Sequence, residues 1–458
     1  MLLNRRQVLG TALGLAATRQ LAVAAETADG FTEIRAQAVT LHLLDDDSGE
    51  TAAWGYSGGP EPAVIRARQG QELKLRFIND LPQEIWLHFF GVRGPSDVMT
   101  LNVPAGADNA VDCVFTQPDA GTFWIGPMSD VSRARDMGLY AVLVVDEAAV
   151  AANLADLVLV LDDWKLTEGG AIEGDFGDAE TMVGEGRMGN WFTINSHYRP
   201  KLHLEPGKFT RLRLLNAANV RSMGVMFKGY DPLLIARDGQ PLQPAPLDGK
   251  PLLLAPGQRA DLLVSPEEGD IGLALDLFED VVEIGYLVPG ARGEAPQLAE
   301  NFMLPPNPLP VLANIAEARK VSIVLDGGIK GGLKSAMFNG AERDLRTLLE
   351  NGKGWAINGV AGPAPEPLFT AQKGEAILLE VDNRTGFSQP LHVHGHVWQV
   401  VEETPSGIWQ DTAVIQPKEL LSLAMVADNA GTWAIHSLVA ERVDGGMIAS
   451  FKIVEPAP

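Results

Sequence analysis

The chain has 458 residues, of which 46% are hydrophobic and 21% charged, a composition typical of a globular protein with about two to four domains. Its formal net charge of −23 at pH 7 opposes binding to polyanions and excludes nucleic acid as the expected partner. The single cysteine, Cys113, excludes an intramolecular disulfide and any metal site built from several thiolates.

The first 24 residues predict an export signal. Arg5 and Arg6 precede a mildly apolar stretch, and Ala22-Val23-Ala24 offers a cleavage site of small residues. Adjacent arginines with weak hydrophobicity are typical of a twin-arginine signal, and an ordinary secretory signal is the alternative. We therefore predict a periplasmic protein, exported by the twin-arginine route. Because no later run has the roughly 18–20 apolar residues of a membrane span, no span is expected.

After residue 30, short apolar or alternating runs separated by turn residues predict β-strands. Residues 63–68 and 73–78 form two such runs on either side of Gln69-Gly70-Gln71. Similar runs open a second unit at residues 157–161 and close a third at 448–454. Helical periodicity is scarce, with one short candidate at residues 341–351. These patterns predict an all-β protein.

Three β-sandwich domains account for this length, at residues 30–148, 155–290 and 319–458. A Pro-rich segment at residues 300–318 predicts a stiff linker before the last domain. Ala120-Gly121-Thr122-Phe123-Trp124 is echoed by Ala430-Gly431-Thr432-Trp433. The first and third domains are therefore interpreted as copies of one module.

Three of the eight histidines lie within Gln389-Pro390-Leu391-His392-Val393-His394-Gly395-His396. On a strand, His392 and His394 would point to one face and form a metal-binding edge, or else a solvated pair. His88 and His436 lie in apolar runs, where hydrogen-bonded core residues are the alternative to metal ligands.

Several ordered segments resemble those of one family over nearly the whole mature length. In chain order they are Pro62 to His88, Gly121-Thr122-Phe123-Trp124, Arg211 to Arg221, Asp238-Gly239-Gln240-Pro241, Ala255 to Asp261, Trp355 to Gly359, Gln389 to Gly395, Asp411-Thr412 and Gly445-Gly446-Met447. The family is that of the three-domain, laccase-like multicopper oxidases. The resemblance implies three cupredoxin-like (plastocyanin-like) domains, each a Greek-key β-sandwich.

In this family a type 1 copper, held by two His, a Cys and a weak axial Met, takes electrons from the substrate. The resemblance places Gln389, Ser437 and Arg442 at the His, Cys and His positions, with Met447 at the fourth. A hydroxyl does not replace a soft thiolate, and a guanidinium has no lone pair for a metal. The resemblance therefore implies that the electron-entry site and its blue copper absorption are lost.

The family's three-copper cluster, which reduces oxygen to water, lies between the first and third domains. The resemblance assigns His88 and His392 to its type 2 copper. It assigns His394, His436 and Met128 to one type 3 copper, whereas the other type 3 positions carry Phe90, Gly126 and Leu438, which offer no ligand side chain. The candidate metal ligands are therefore His88, His392, His394, His436 and Met128, for one or two copper ions or for none.

The cysteine and two arginines after Met128 are interpreted as structural or surface residues. Cys113 lies in a strand-like run and is expected to be a buried structural residue. Arg133 and Arg135, just after Met128, are expected at the surface. Filling vacated metal space and pairing with acidic residues are the alternatives.

Three functions remain open. The first is a multicopper-oxidase-like protein that is not a competent laccase but keeps residual copper binding. The second is a copper-dependent oxidoreductase with a reduced metal site. The third is a copper-free scaffold of the cell envelope, similar to division-associated, twin-arginine-exported members of the family. The expected partner is accordingly a small molecule, a metal ion or an envelope protein. Whether the chain is an enzyme stays open, and no catalytic residue is assigned.

Overall fold

The computed structural model of the protein describes residues 27–44, 49–56, 59–149, 154–265, 269–277, 280–289, 302–313 and 315–456. Strands predominate there, with a few short helices, so the predicted all-β class is confirmed. The described helices include none that is long and apolar enough to cross a membrane. The predicted signal at residues 1–24 lies outside the described residues.

The first unit pairs its strands into two sheets, ordered β2-β1-β4-β7 and β3-β9-β8-β5-β6. Strand β4 shows why these runs become sandwich strands, since Leu73, Leu75 and Phe77 are buried while Lys74 and Arg76 are partly exposed. The elements are β1 (Thr32–Leu41), β2 (Thr51–Tyr56), β3 (Ala63–Arg68), β4 (Glu72–Asn79), β5 (Ile85–Phe90), β6 (Thr100–Val103), β7 (Val111–Thr116), β8 (Gly121–Pro127), α1 (Val131–Asp136) and β9 (Ala141–Asp146).

The second unit forms sheets ordered β11-β10-β13-β18-β15-β16 and β12-β20-β19-β14-β17. Its apolar side chains build a core of their own, among them Leu159, Leu212 and Leu262. The elements are β10 (Leu154–Trp164), α2 (Ala179–Val183), β11 (Trp191–Ile194), β12 (Lys201–His203), β13 (Phe209–Asn216), β14 (Met223–Lys228), β15 (Leu233–Arg237), β16 (Gln240–Pro246), β17 (Leu252–Leu254), β18 (Arg259–Val264), β19 (Ile271–Asp276) and β20 (Val281–Val288).

The third unit forms sheets ordered β24-β21-β26-β30-β28 and β25-β32-β31-β27-β29, with a separate hairpin β22-β23. Its elements are a 3-10 turn (Ile315–Glu317), β21 (Arg319–Gly327), β22 (Ser335–Phe338), β23 (Ala341–Asp344), α3 (Leu345–Glu350), β24 (Trp355–Ile357), β25 (Thr370–Gln372), β26 (Ala376–Asn383), β27 (Gln389–Val393), β28 (Trp398–Val401), β29 (Thr412–Ile415), β30 (Leu420–Val426), β31 (Gly431–Ser437), α4 (Ala440–Asp444) and β32 (Ile448–Val454). Each sheet of the described chain takes its strands from one unit only. The exact domain boundaries stay predictions.

The helix predicted at residues 341–351 is wrong in its first half. Residues Ala341–Asp344 pair as a strand with β22. The helix begins only after Asp344, whose side chain accepts a hydrogen bond from the Thr347 N–H at 2.8 Å and acts as the N-cap.

The described part of the Pro-rich segment packs against the first two units. Leu304 is buried. The Asn307 side chain bonds both the N–H and the C=O of Ala120 and also contacts Gln240. The segment thus contacts both units where it is described.

Candidate metal centre

Equivalent strands of the first and third units position the histidines. His88 lies on β5, whereas His392 on β27 is the direct cross-strand neighbour of His436 on β31. His394 lies just after the end of β27, where its N–H bonds the Ala434 carbonyl. The prediction that His392 and His394 share one strand is therefore wrong for His394, because the strand ends at Val393.

The structure nevertheless brings the four imidazoles together. The ligand atoms of His88, His392 and His394 all lie within 4.8 Å of one another. The rings of His88 and His394 stack with centroids 3.5 Å apart. His394 Nε2 and His436 Nε2 are 2.8 Å apart. Residues from two different units thus meet at one buried point, and we call these four residues the His cluster.

Hydrogen bonds fix the protonation of two of these rings. His392 Nδ1 faces Asp411 Oδ1 and Thr412 Oγ1, both at 3.1 Å. His436 Nδ1 faces the Ser437 carbonyl at 2.7 Å. Because these partners accept, each Nδ1 carries the proton and each Nε2 presents a lone pair. The Asp411–His392 contact is the arrangement by which carboxylates orient metal-binding histidines.

Two nitrogens of the cluster have no described partner. His88 Nε2 and His392 Nε2 are buried and make no hydrogen bond, while His88 Nδ1 lies 2.8 Å from Thr100 Oγ1. An unsatisfied buried polar atom costs about 1–3 kcal/mol. A metal ion bound by both nitrogens would remove this cost, so the two atoms fit a metal site.

Burial disfavours the charged form of three of the four histidines. It holds the pKa of His88 well below its usual range, and the neighbouring His392 and His436 add to this effect. The same cause lowers the pKa of His394 strongly and that of His436 to about 3. Burial opposes ionisation of Asp411 too, but Arg259 and His392 keep the pKa of that carboxyl below its usual value. His88, His394 and His436 are therefore neutral imidazoles at neutral pH, and Asp411 is an ionised carboxylate.

Apolar side chains occupy the positions that the resemblance gives to the second type 3 copper. The Phe90 ring stacks on Trp124 with centroids 4.0 Å apart, and Leu438 belongs to the same buried cluster. A Cβ at Gly126 would meet the Trp124 ring at 2.1 Å. Because Phe90 also contacts the rings of the His cluster, this stack forms one wall of the cluster.

Met128 follows the end of β8 and packs, partly buried, against the apolar group that contains Phe90 and Trp124. Its N–H bonds the Trp86 carbonyl at 2.7 Å. Its role as a thioether ligand stays a prediction.

The three polar residues at the presumed type 1 positions bond to one another. Ser437 Oγ donates to Gln389 Oε1 at 3.3 Å, and Arg442 Nη1 donates to the same oxygen at 3.0 Å. Met447 is fully buried behind them, and its N–H bonds the Arg442 carbonyl. This donor set, with a guanidinium and no thiolate or imidazole, does not fit a type 1 copper.

Arg135 corrects the expectation of surface exposure. It is 1% exposed, and its Nη1 donates to the Leu438 carbonyl at 2.8 Å while the guanidinium lies over the Trp124 ring. The arginine thus lies against Trp124 and against Leu438, which holds one of the positions that the resemblance gives to the second type 3 copper. Arg133 is 45% exposed, as expected.

The sequence assigns no role to the residues that support the cluster, namely Thr100, Asp411, Thr412 and Arg259. Asp411 bonds His392 on one side and Arg259 on the other. Asp411 and Thr412 are among the segments that carry the resemblance. Their ordinary residue types gave no signal of contact with a histidine nineteen residues earlier in the chain.

Comparison with known proteins decides the family. Three family models, each described as multicopper oxidase, match residues 38–149, 156–271 and 338–457 in order. The chain belongs to the multicopper oxidase family. Its units are therefore the three cupredoxin-like domains of that family, as predicted.

Similar proteins within this family have different names. The multicopper oxidase MmcO of Mycobacterium tuberculosis is 25% identical over 412 residues, covering 81% of this chain and 77% of that protein. The cell division protein FtsP of Xenorhabdus nematophila is 24% identical over 443 residues, covering 88% of this chain and 85% of that protein. Both an oxidase and a division protein are thus similar to the chain at comparable identity.

Among solved structures, a multicopper oxidase from Pseudomonas thermotolerans superposes with a TM-score of 0.79 and 27% identity. The match covers 95% of this chain and 100% of that chain. The family fold is therefore kept over nearly the whole length.

Proposed function

We propose that the protein is a periplasmic member of the multicopper oxidase family that binds copper at the His cluster and is not a competent laccase. The observation that carries this proposal is the pair of buried, unpartnered Nε2 atoms of His88 and His392, next to His394 within 4.8 Å. Imidazole nitrogens are favoured copper ligands. Export to the periplasm is proposed from the adjacent Arg5 and Arg6 and the small residues 22–24.

Each residue of the cluster has a defined part in this proposal. His88, His392 and His394 supply the ligand nitrogens, and Asp411 and Thr412 hold the His392 ring in the tautomer that exposes Nε2. His436 contacts His394 and orients it. A copper ion, when bound, supplies one-electron redox chemistry. We propose one ion, because His394 Nε2 and His436 Nε2 bond each other at 2.8 Å and the described ligand group is that of His88, His392 and His394.

Laccase activity is not expected, because electrons have no entry site. Four-electron reduction of oxygen in this family needs a type 1 copper and a full cluster. Here Gln389, Ser437 and Arg442 form a hydrogen-bonded group without a thiolate. Turnover of phenols or ferrous iron is therefore expected near background. Fast turnover would contradict the assignment of these positions.

A copper-free envelope scaffold is the second candidate. The likeness to a cell division protein over 88% of this chain supports it, as do the apolar residues at one set of metal positions. In this case the four imidazoles would be neutral packing residues between two domains, and the partner would be an envelope protein.

Copper analysis separates the two candidates. The purified protein is loaded with Cu²⁺, dialysed and analysed for copper per chain by mass spectrometry. We expect one ion for the parent and for His203→Ala, a matched control at an exposed histidine of β12. His392→Ala is expected to lose it. No retained copper in the parent, or equal copper in both variants, would refute the metal site and favour the scaffold. Two ions would instead show that Met128 and His436 complete a second site.

A further inference from the structure

A groove of about 410 Å³ lies between the second and third domains, beside the presumed type 1 positions. Its walls include apolar side chains from both domains, among them Leu277, Phe387 and Val439. Arg442 lines the same groove, although the residue as a whole is only 3% exposed. A pocket of this size that combines apolar walls with a few polar and charged groups is typical of sites for small organic molecules.

Among the described residues, only one of the three guanidinium nitrogens of Arg442 donates hydrogen bonds to the protein. Both described hydrogen bonds leave from Nη1, which donates to the Ser388 carbonyl at 2.6 Å and to Gln389 Oε1 at 3.0 Å. Nε is buried without a partner. Aromatic rings lie beside the group, with Trp355 at 5.0 Å and Phe387 at 5.3 Å. Because Nε is buried, Nη2, which makes no described hydrogen bond, is the donor left for a ligand in the groove.

Other buried arginines differ from Arg442 in their partners. Arg187, Arg211 and Arg259 each contact at least one carboxylate. Within the described part of the chain, Arg442 has no carboxylate oxygen within 4.0 Å. Arg135 also has no carboxylate oxygen within 4.0 Å among the described residues, but it does not line the groove. A buried charge without a counter-charge is costly, so an anion in the groove would compensate Arg442.

We propose that this groove binds a small organic carboxylate with an apolar body. The carboxylate would accept hydrogen bonds from Nη2 of Arg442, because charge-assisted hydrogen bonds between a guanidinium and a carboxylate are strong. The apolar body would lie against Leu277, Phe387 and Val439. The site goes beyond the proposed copper centre, since Arg442 contacts none of the four histidines of the cluster by a described hydrogen bond.

The charges around the groove agree with an anionic ligand. Glu185 lines it but lies 3.6 Å from Lys330, and Arg221 lines it but is paired with Asp163. Of the three charged residues Glu185, Arg221 and Arg442, only Arg442 forms no ion pair with a described residue. Burial lowers the pKa of Arg442 to about 10, against the opposing effect of Glu441 and Glu185, so the group stays charged at neutral pH.

Isothermal titration of the full chain, kept metal-free with a chelator, tests the proposal. The probes are benzoate and hexanoate, with benzamide, hexanamide and inorganic sulfate as comparisons. We expect saturable binding of one carboxylate per chain and at least tenfold weaker binding of the amides and of sulfate. Arg442→Met should weaken carboxylate binding at least tenfold. Arg384→Met, an exposed arginine paired with Asp382, should leave it unchanged.

A second variant guards against a folding defect in Arg442→Met. Val414→Trp keeps the arginine but fills the groove that Val414 lines, and it should also abolish binding of hexanoate. Absence of saturable binding, equal affinity for acid and amide, or binding that survives both variants would overturn the proposal. Because copper is absent from the titration, the result is independent of the copper stoichiometry measured for the His cluster.

Discussion

At the scale of single residues, a few polar atoms fill the positions that the resemblance gives to the type 1 copper. Ser437 has a hydroxyl where a type 1 copper needs a thiolate, and Gln389 has an amide where it needs an imidazole. They bond each other, and the Val439 N–H bonds Ser437 Oγ at 3.2 Å. The side chains of Ser437 and Gln389 thus have hydrogen-bond partners within the protein without any metal. The presumed type 1 positions are therefore filled by protein groups.

Restoring the ligands should restore the metal. The variant Gln389→His/Ser437→Cys/Arg442→His places two imidazoles and a thiolate beside Met447, in a backbone where these positions already converge. After copper loading we expect the intense blue absorption of a Cu–thiolate bond, which the parent should lack. The control, Gln389→His/Arg442→His with Ser437 retained, should stay colourless. A blue parent protein would disprove the loss of this site.

Another residue-scale prediction concerns acid stability. Burial lowers the pKa of His396 to about 4, whereas an unfolded chain protonates histidine near 6.5. Between these values the unfolded state binds more protons, so stability is kept above about pH 6.5 and falls as the pH drops towards 4. The full effect is about 3 kcal/mol.

Replacing His396 by Gln removes this titration. Between pH 7 and 4, the free energy of unfolding of the parent should fall by up to about 3 kcal/mol more than that of the variant. Urea unfolding at several pH values measures this difference. His203→Gln, at an exposed position, should keep the parental slope. Parallel curves for parent and His396→Gln would show that His396 does not titrate in this way.

At the scale of elements, short helices join the first and third domains. Asp444, the last residue of α4, accepts hydrogen bonds from the Val131 and Ser132 N–H groups of α1 at 3.0 and 2.8 Å. A helix of the first domain is thus capped by a side chain of the third. The contact lies close to Arg135, which reaches the Leu438 carbonyl just before α4.

Asp444→Ala should therefore destabilise more than one element. Loss of an N-cap costs about 0.5–2 kcal/mol, and here it also removes a contact between domains. We expect faster amide hydrogen exchange in α1, measured by mass spectrometry. Asp344→Ala is the matched control, because it removes a cap that acts within the third domain only. Similar exchange of α1 in both variants would contradict the cross-domain role.

Much of the fold followed from the sequence, because strand alternation and turn residues are local signals. The four histidines followed from the family resemblance and are brought together by pairings such as His392 with His436. The supporting shell did not follow. Contacts such as Asp411 with His392, or Asn307 with Ala120, depend on side-chain packing between distant segments. Arg135 was misjudged for the same reason, since a buried arginine resembles a surface one in sequence.

At the scale of the whole molecule, Arg259 connects all three domains. It lies on β18 of the second domain and is fully buried. Its Nε donates to the Thr122 carbonyl of the first domain, and its Nη1 donates to Asp411 of the third at 3.0 Å. Since Asp411 also holds His392, the packing of the domains and the geometry of the His cluster depend on the same side chain.

Arg259→Met should therefore affect stability and copper binding together. It leaves the buried carboxylates of Asp411 and Asp238 without their nearest cation, and breaking such a pair costs about 3–5 kcal/mol. Copper affinity should fall about 10–100-fold, because the group that positions Asp411 is lost. Urea unfolding and copper titration measure the two effects. Arg76→Met, which breaks a partly exposed pair with Asp112, should cost at most about 1 kcal/mol and leave copper binding intact. If the Arg259 variant behaved like the Arg76 variant, this coupling between domain packing and the metal site would be refuted.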